Sequence, residues 1–429
     1  MVNIEAFGVC DGARENIGEG NNILMNDIIV DMLAADEGDC FLIMAEKENI
    51  NILIDGGTAG TYHRVLKRKL QELDRQGKCI DLLVVTHIDN DHIGGILELL
   101  KENGSDSDSK IIKIRNIWHN SYRHLQLTKE REIGKAEEQI LSHYITAGSA
   151  QDNFSEWEGI KEISVKQGTT LAALILAGRY HWNEQFDGKA VCSDGKNEIS
   201  FGNDCWIKVL TPDQEALNKL ANLWRRELLS KRFAFEFSED ELFDDAYEYY
   251  MRYLYHSLEY YNQGISDRKS EIDMQLLADC EERSDASKTN RASISMLLQF
   301  RERTLLFLAD AHADDAFKKL DRRRRVDLIK LPHHGSSKNI SKKFIDNIET
   351  ETYLISTNAE RYDHPDLKTL AKIICKKTKY HKRIYFNYRS EKVTSVLAQL
   401  EERDNTSFIF LEENQSIVLS DCTGDRDEQ

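Results

Sequence analysis

Residues 86–95 read Thr-His-Ile-Asp-Asn-Asp-His-Ile-Gly-Gly. The segment follows the apolar run 80–85, which predicts a buried strand, and precedes the apolar run 96–100, which predicts a helix. The predicted strand-to-helix turn carries four side chains of metal-binding type: His87, Asp89, Asp91 and His92. Imidazole combined with carboxylate favours a catalytic site for zinc, manganese or iron, because structural zinc sites prefer thiolates. Gly94 and Gly95 are expected to let the backbone bend tightly.

This segment resembles the HxHxDH signature of the metallo-β-lactamase-fold hydrolases. Aspartate at the second ligand position is the variant of ComEC-type DNA-uptake proteins and their soluble relatives. Further segments that fit the family's motifs follow in the same order: 38–43, 51–57, 290–294, 305–311, 331–336 and 362–365. The resemblance implies an α+β fold, a four-layer αββα sandwich of two mixed sheets with helices outside. We expect one hydrolase domain over 1–429, with a helical insertion at 213–285 where apolar residues recur at helical spacing.

The resemblance also implies a set of metal ligands. They are His87, Asp89, Asp91, His92, Asp310 and His333. The first two would serve one metal, the next two a second metal, and Asp310 would bridge both. The usual third histidine of the first metal site has no clear motif in this chain. His119 is the best candidate for it and His181 the second.

Other residues are candidates for catalysis or for support of the ligands. The candidates for catalysis are Asp91, His334 and His364. The last ligand histidine of the fold could be His333 or His364; we favour His333, with His334 or His364 contacting metal or substrate as a proton donor. Asp55 is expected to orient ligands through hydrogen bonds, and His312 to support a ligand or contact substrate.

Two divalent metals are the implied cofactors. Zinc or manganese is expected, and magnesium is possible because Asp89 replaces a histidine by a harder oxygen ligand. Members of the family use a hydroxide that the two metals share and activate. Two cations suit a phosphodiester. The resemblance to ComEC-type proteins implies DNA or RNA as the substrate class, and the resemblance to their soluble relatives suggests an antiviral defence effector. The alternatives are a hydrolase of a nucleotide signal, ester or lactone, and a partner-regulated assembly module.

Composition limits the possible partners and the compartment. The net charge of -17 argues against a broadly basic surface, although the residues at 322–325 and 376–383 form basic clusters. Each cluster is either a binding patch or a solvated helix end. Eight cysteines without a CxxC pair and the lack of a long apolar run predict a cytoplasmic protein without a membrane span. The tyrosines between 247 and 261 predict a face that packs against the domain, a second copy of the chain or a partner protein. The alternative is a surface on which nucleic-acid bases stack.

Overall fold

A computed structural model of the chain describes residues 27–125, 171–202, 204–230, 273–280, 283–320, 324–361, 363–400 and 405–420. The tyrosines of the predicted insertion, and two arginines of the first basic cluster, lie outside these ranges. Within the described ranges, no helix is both long and apolar enough to cross a bilayer.

The strands of the described residues form two large sheets and one small hairpin. Their bounds are β1 Ile28–Met32, β2 Phe41–Ala45, β3 Ile50–Ile54, β4 Leu82–Val85, β5 Gly104–Ser105, β6 Asp108–Ser109, β7 Ile117–His119, β8 Glu198–Ser200, β9 Cys205–Thr211, β10 Ser295–Phe300, β11 Arg303–Phe307, β12 Leu328–Lys330, β13 Thr352–Ile355, β14 Lys382–Phe386, β15 Thr406–Phe410 and β16 Ile417–Leu419. The first sheet has the order β16-β1-β2-β3-β4-β7, and the second has the order β15-β14-β13-β12-β11-β10-β9-β8.

Each large sheet mixes antiparallel and parallel pairs. In the first sheet, β1 to β3 are antiparallel, whereas β4 runs parallel to both β3 and β7. In the second sheet, β8 to β11 are antiparallel and β11 to β15 are parallel. Parallel neighbours end at the same sheet edge, so the loops that follow them lie side by side.

Helices connect these strands. Their bounds are α1 Ala59–Thr61, α2 Lys67–Arg75, α3 Asn90–Asn103, α4 Leu171–Ala177, α5 Gln214–Ser230, α6 Met274–Asp279, α7 Lys288–Arg291, α8 Ala313–Lys319, α9 Lys342–Asn347, α10 Leu367–Cys375 and α11 Glu391–Leu397, with a π-helix at Tyr62–Leu66 between α1 and α2. The predicted insertion thus contains α5 and α6, while residues 231–272 between them are outside the described part of the chain.

Three apolar layers give the fold its architecture. Leu82 and Val84 of β4 lie in the core between the two sheets, whereas Leu83 and Val85 lie in the core beneath α2 and α3. This alternation follows from the two-residue period of a strand. Strand β11 of the second sheet shows the same alternation, and the outer face of that sheet packs beneath α8 to α11. Helix, sheet, sheet and helix therefore stack in that order. The predicted αββα sandwich is confirmed.

Candidate metal centre

The ligand segment forms the turn between β4 and α3. The helix begins directly after Asp89, whose backbone is extended, with ψ 141°. His87 and Asp89 therefore lie on the turn, whereas Asp91 and His92 lie in the first helical turn. The strand-to-helix placement predicted from the apolar pattern is thus present in the structure.

Gly94 and Gly95 have a different role from the expected one. Both lie inside α3, not at a bend. A Cβ atom on Gly95 would lie 2.0 Å from the carbonyl oxygen of Gly56. Glycine is therefore needed because the helix packs directly against the loop after β3. The expectation of a tight bend was wrong, and close packing is the reason for the pair.

The second sheet supplies its residues from the carboxyl ends of parallel strands. Asp310 follows β11, and His333 and His334 follow β12. Positive φ angles occur at this edge and at the end of β3: Asp55 56°, Ala309 46°, His333 47° and His334 54°. A residue other than glycine held in this region costs about 1–3 kcal/mol, and such residues cluster at functional sites.

Asp310 is the common neighbour of four histidines. Its Oδ2 lies 3.8 Å from His87 Nε2, 3.8 Å from His333 Nε2 and 3.9 Å from His334 Nε2. Its Oδ1 lies 3.5 Å from His92 Nε2. These separations are too long for hydrogen bonds. They suit ligands that share an ion, because metal–ligand bonds of about 2.0–2.2 Å place neighbouring donor atoms between 3 and 4 Å apart, roughly.

Two further carboxylates join this set. Asp89 Oδ2 lies 3.5 Å from His87 Nε2, on the side of the turn. Asp91 Oδ2 lies 3.5 Å from His334 Nε2 and 3.8 Å from His92 Nε2. Asp91, His92 and His334 thus form one group whose ligand atoms all lie within 4.8 Å of one another. A second such group contains His87, His92 and Asp310.

The chemistry of these donor atoms fits bound cations. Nε2 of His87, His92 and His334, and Oδ1 of Asp310, are buried without a hydrogen-bond partner. A buried polar atom without a partner costs about 1–3 kcal/mol. Divalent metals between these atoms would satisfy all of them. The set therefore fits the metal centre that the fold family implies.

Hydrogen bonds on the opposite ring nitrogens point the lone pairs of two histidines into the centre. His92 Nδ1–H donates to Asp55 Oδ2 at 2.8 Å. Asp55 also accepts from the Thr86 hydroxyl at 2.7 Å and the Thr86 N–H at 2.8 Å. Since that hydroxyl proton is given to Asp55, Thr86 Oγ1 accepts from His87 Nδ1–H at 3.0 Å. A neutral imidazole carries one proton, so Nε2 of both rings is left as a ligand atom.

His334 is held in the same way from the second sheet. Its Nδ1–H donates to the backbone carbonyl of Ser356 at 2.8 Å, so Nε2 again carries the lone pair. The ring is 2% exposed, compared with 26% for His333. His334 therefore lies at the bottom of the centre and His333 at its outer side.

The carboxylates make the centre attract positive charge. Burial lowers the pKa of His334, but Asp310 and Asp39 outweigh burial and raise this pKa to about 10. Burial likewise lowers the pKa of His92, and Asp310 with its neighbours raises it well above the usual value. Burial raises the pKa of Asp310, but His92 and the other histidines hold it well below its usual range. Such a site would bind divalent cations in place of the protons.

Two buried charged residues behind the ligands were missed by the sequence reasoning. Lys330 forms an ion pair with Asp39, donates to the Ala309 carbonyl at 3.1 Å and lies 4.0 Å from Asp310 Oδ1. Asp39 Oδ1 lies 3.5 Å from His334 Nδ1. The sequence feature that could have indicated this pair is the lysine within the apolar run of β12, because a buried ammonium group requires polar partners.

The two candidates for a third histidine of the first metal site each have another polar neighbour. His119 is buried at the end of β7, where its Nδ1 faces the Val85 carbonyl at 3.4 Å. Neither group of mutually close ligand atoms around Asp91 and Asp310 includes His119. His181 is half-exposed and pairs with Glu184 at 2.6 Å. The third histidine of the first metal site therefore stays a prediction.

Two other predicted residues lie outside the ligand set. The His364 ring lies 5.3 Å from the His333 ring, and its Nδ1 is 3.4 Å from Asp366 Oδ1. This places His364 next to a ligand candidate. His312 precedes α8, and its Nδ1 lies 3.3 Å from Ser284 Oγ. That contact joins His312 to the segment before α7, not to a ligand.

Comparisons with known proteins give one family match and two structural alignments of low similarity. Residues 35–157, which contain the ligand segment, match the family model described as the metallo-beta-lactamase superfamily. The structure of the metallo-beta-lactamase fold protein YhfI from Bacillus subtilis aligns over 92% of this chain and 98% of its own, with 8% identity and a TM-score of 0.32. A mutant of the CmlA beta-hydroxylase aligns over 92% of this chain and 54% of its own, with 10% identity and a TM-score of 0.32. No curated protein matches the chain.

The family match and the two-sheet architecture define a metallo-β-lactamase fold, with a His and Asp centre at the edge where the loops converge. The two structural alignments carry no argument at their TM-scores. Membership of the ComEC-like subgroup stays a prediction.

Proposed function

We propose that this chain is a metal-dependent hydrolase with two divalent ions. One ion would be held by His87, Asp89 and His333, the other by Asp91, His92 and His334, with Asp310 shared. The observation that carries this proposal is the convergence of buried, unpaired Nε2 atoms on one carboxylate. Nitrogen and oxygen ligands without thiolate suit zinc or manganese, and magnesium less well.

This assignment gives His334 a different role from the one expected from the sequence. We expected His334 or His364 to contact metal or substrate as a proton donor. Its burial, and its place between Asp91 and Asp310, suit a metal ligand instead. His364 then remains the candidate proton donor, because it lies beside His333 but outside the ligand set.

The residues around the ligands prepare the site for chemistry. Bound metals would supply Lewis acidity and lower the pKa of water towards about 7. Asp55, Thr86 and the Ser356 carbonyl hold protons on Nδ1 of the ligand histidines, which keeps Nε2 unprotonated. His364, with Asp366 beside it, is placed to give a proton to a leaving group on the outer side of His333.

A phosphodiester is the substrate class that we favour. Two cations that share a carboxylate can offset charge on the attacking and the leaving oxygen of a phosphoryl group. The resemblance of the ligand segment and of the Pro-His-His-Gly-Ser segment at 332–336 to ComEC-type hydrolase domains supports a nuclease or phosphodiesterase. A role in antiviral defence rests on that resemblance alone.

The position of the basic clusters favours a small diester as the second candidate. Arg325 and Arg383 both pair with Glu351, at 3.5 and 3.3 Å, where β12, β13 and β14 begin. The metal centre lies at the opposite, carboxyl end of these strands. Lys382 is buried and donates to three backbone carbonyls. These three basic residues therefore do not lead a long polyanion to the metals, and a homodimer or partner contact through 213–285 stays a prediction.

Hydrolysis assays with metal analysis test the proposal. Plasmid DNA, single-stranded DNA, RNA and bis-p-nitrophenyl phosphate are incubated with Mn²⁺, Zn²⁺ or Mg²⁺, with Asp310→Ala as control. Cleavage of polymer that the variant lacks supports a nuclease. Cleavage of only the small diester supports the second candidate. A protein that binds fewer than two ions, or whose activity survives in Asp310→Ala, contradicts the dinuclear centre.

A further inference from the structure

Asn339 lies behind the outer ligand candidate and is itself buried, with 2% exposure. Its Nδ2 donates to the backbone carbonyl of Asp310 at 3.0 Å and to Asp285 Oδ2 at 3.4 Å. Both partners only accept hydrogen bonds, so the orientation of the amide is fixed. Its Oδ1 therefore faces His333 Nδ1, at 3.0 Å.

This arrangement determines which nitrogen of His333 carries the proton. An amide oxygen only accepts, so Nδ1 must be the protonated atom and Nε2 the lone-pair atom. The side chain of Asn290 also approaches Nδ1, at 3.4 Å, but its Nδ2 donates to Asp285 Oδ2 at 2.8 Å. His333 Nε2 is then directed at Asp310 Oδ2, 3.8 Å away.

His333 depends on this support more than the other ligand candidates do. Its ring is 26% exposed, whereas His87, His92 and His334 are buried. Its backbone has φ 47°, in the left-handed region, so the main chain conformation is itself maintained by neighbours. Asn339 holds this ring through its Nδ1.

We infer that Asn339 is the positioning residue of the outer metal site: it sets the ring proton and orientation of His333. The inference rests on the proposed dinuclear centre. Residues that hold a ligand histidine in this way typically change metal affinity by about 10–100-fold. Asp285, which bonds Asn339 and Asn290, completes the polar support from the segment before α7.

Metal binding gives a direct test that needs no substrate. Zn²⁺ is titrated into the metal-free full-length chain in competition with a chromophoric chelator. Wild type is compared with Asn339→Leu, Asn339→Asp, His333→Ala and the double variant Asn339→Leu/His333→Ala. Asn347→Leu is the matched control, because Asn347 is an exposed asparagine that bonds only a helix carbonyl. Thermal melts identify any variant that does not fold.

We expect Asn339→Leu to lower the affinity for one of the two ions by about 10–100-fold, and His333→Ala to lower the affinity for the same ion. The double variant should bind this ion no more weakly than His333→Ala does, because Asn339 acts through the His333 ring. Asn339→Asp keeps an acceptor for Nδ1–H and should retain more affinity than Asn339→Leu. Three results would overturn the inference but leave the proposed centre in place. They are additive losses of affinity in the double variant, an equal loss of affinity for both ions, and unchanged affinity for both ions in a folded Asn339→Leu protein. Fewer than two ions in wild type overturn the proposed centre and the inference with it.

Discussion

Asp55→Asn tests whether the hydrogen bonds behind the ligands set the state of the metal centre. The wild-type carboxylate accepts three hydrogen bonds, of 2.8, 2.7 and 2.8 Å, from the Thr86 N–H, the Thr86 hydroxyl and His92 Nδ1–H. If the amide that replaces this carboxylate keeps the hydrogen bond from the Thr86 N–H, its NH₂ group must lie where Oδ2 lies in the wild type. That group only donates, so His92 would have to accept on Nδ1 and carry its proton on Nε2, where no metal could then bind.

The expected loss is about 10–100-fold in affinity for the ion at Asp91 and His92, or about 1.4–2.7 kcal/mol. Competition titration with a chelator measures the loss, and a thermal melt shows whether the variant folds. Asp81→Asn is the control, since Asp81 is also buried and accepts from the Asn51 N–H at 2.9 Å, without contact to a ligand. Two ions bound with wild-type affinity by a folded Asp55→Asn protein would refute the reasoning.

Three further results are expected. Asp310→Ala should reduce metal affinity and hydrolysis more than about 100-fold, beyond the effect of a supporting residue, and near-normal turnover after metal reconstitution would contradict the shared carboxylate. His364→Ala should lower kcat by about 10²–10⁴-fold with metal content unchanged, as expected of a proton donor; lost metal would make it a ligand. Metal-free protein should lose stability as the pH rises from about 6.5 towards 10, because the pKa of His334 is higher in the folded than in the unfolded protein. The proton on His334 stabilises the fold fully below the unfolded pKa, and this stabilisation is lost above the folded pKa. Melts in EDTA at several pH values check this, and a constant Tm would contradict it.

The residues that form the centre could largely be found from the sequence. The turn after an apolar strand and the spacing of His87, Asp89, Asp91 and His92 are local properties, and they indicated both the ligand types and the strand-to-helix geometry. The apolar run at 80–85 indicated a buried strand, and β4 is buried on both faces. Such features depend on a few neighbouring residues, so a pattern is sufficient to predict them.

The partners of each side chain could not be predicted in this way. Nothing local indicates that Asn339 bonds His333, that Lys330 reaches Asp39 across the two sheets, or that His119 faces the backbone carbonyl of Val85. The order of the strands in the two sheets sets which of these residues meet, and it also places Arg325 and Arg383 at the edge opposite to the centre. Chemistry at a metal site depends on distances of a few ångströms between residues far apart in the chain, and packing of the two sheets sets those distances.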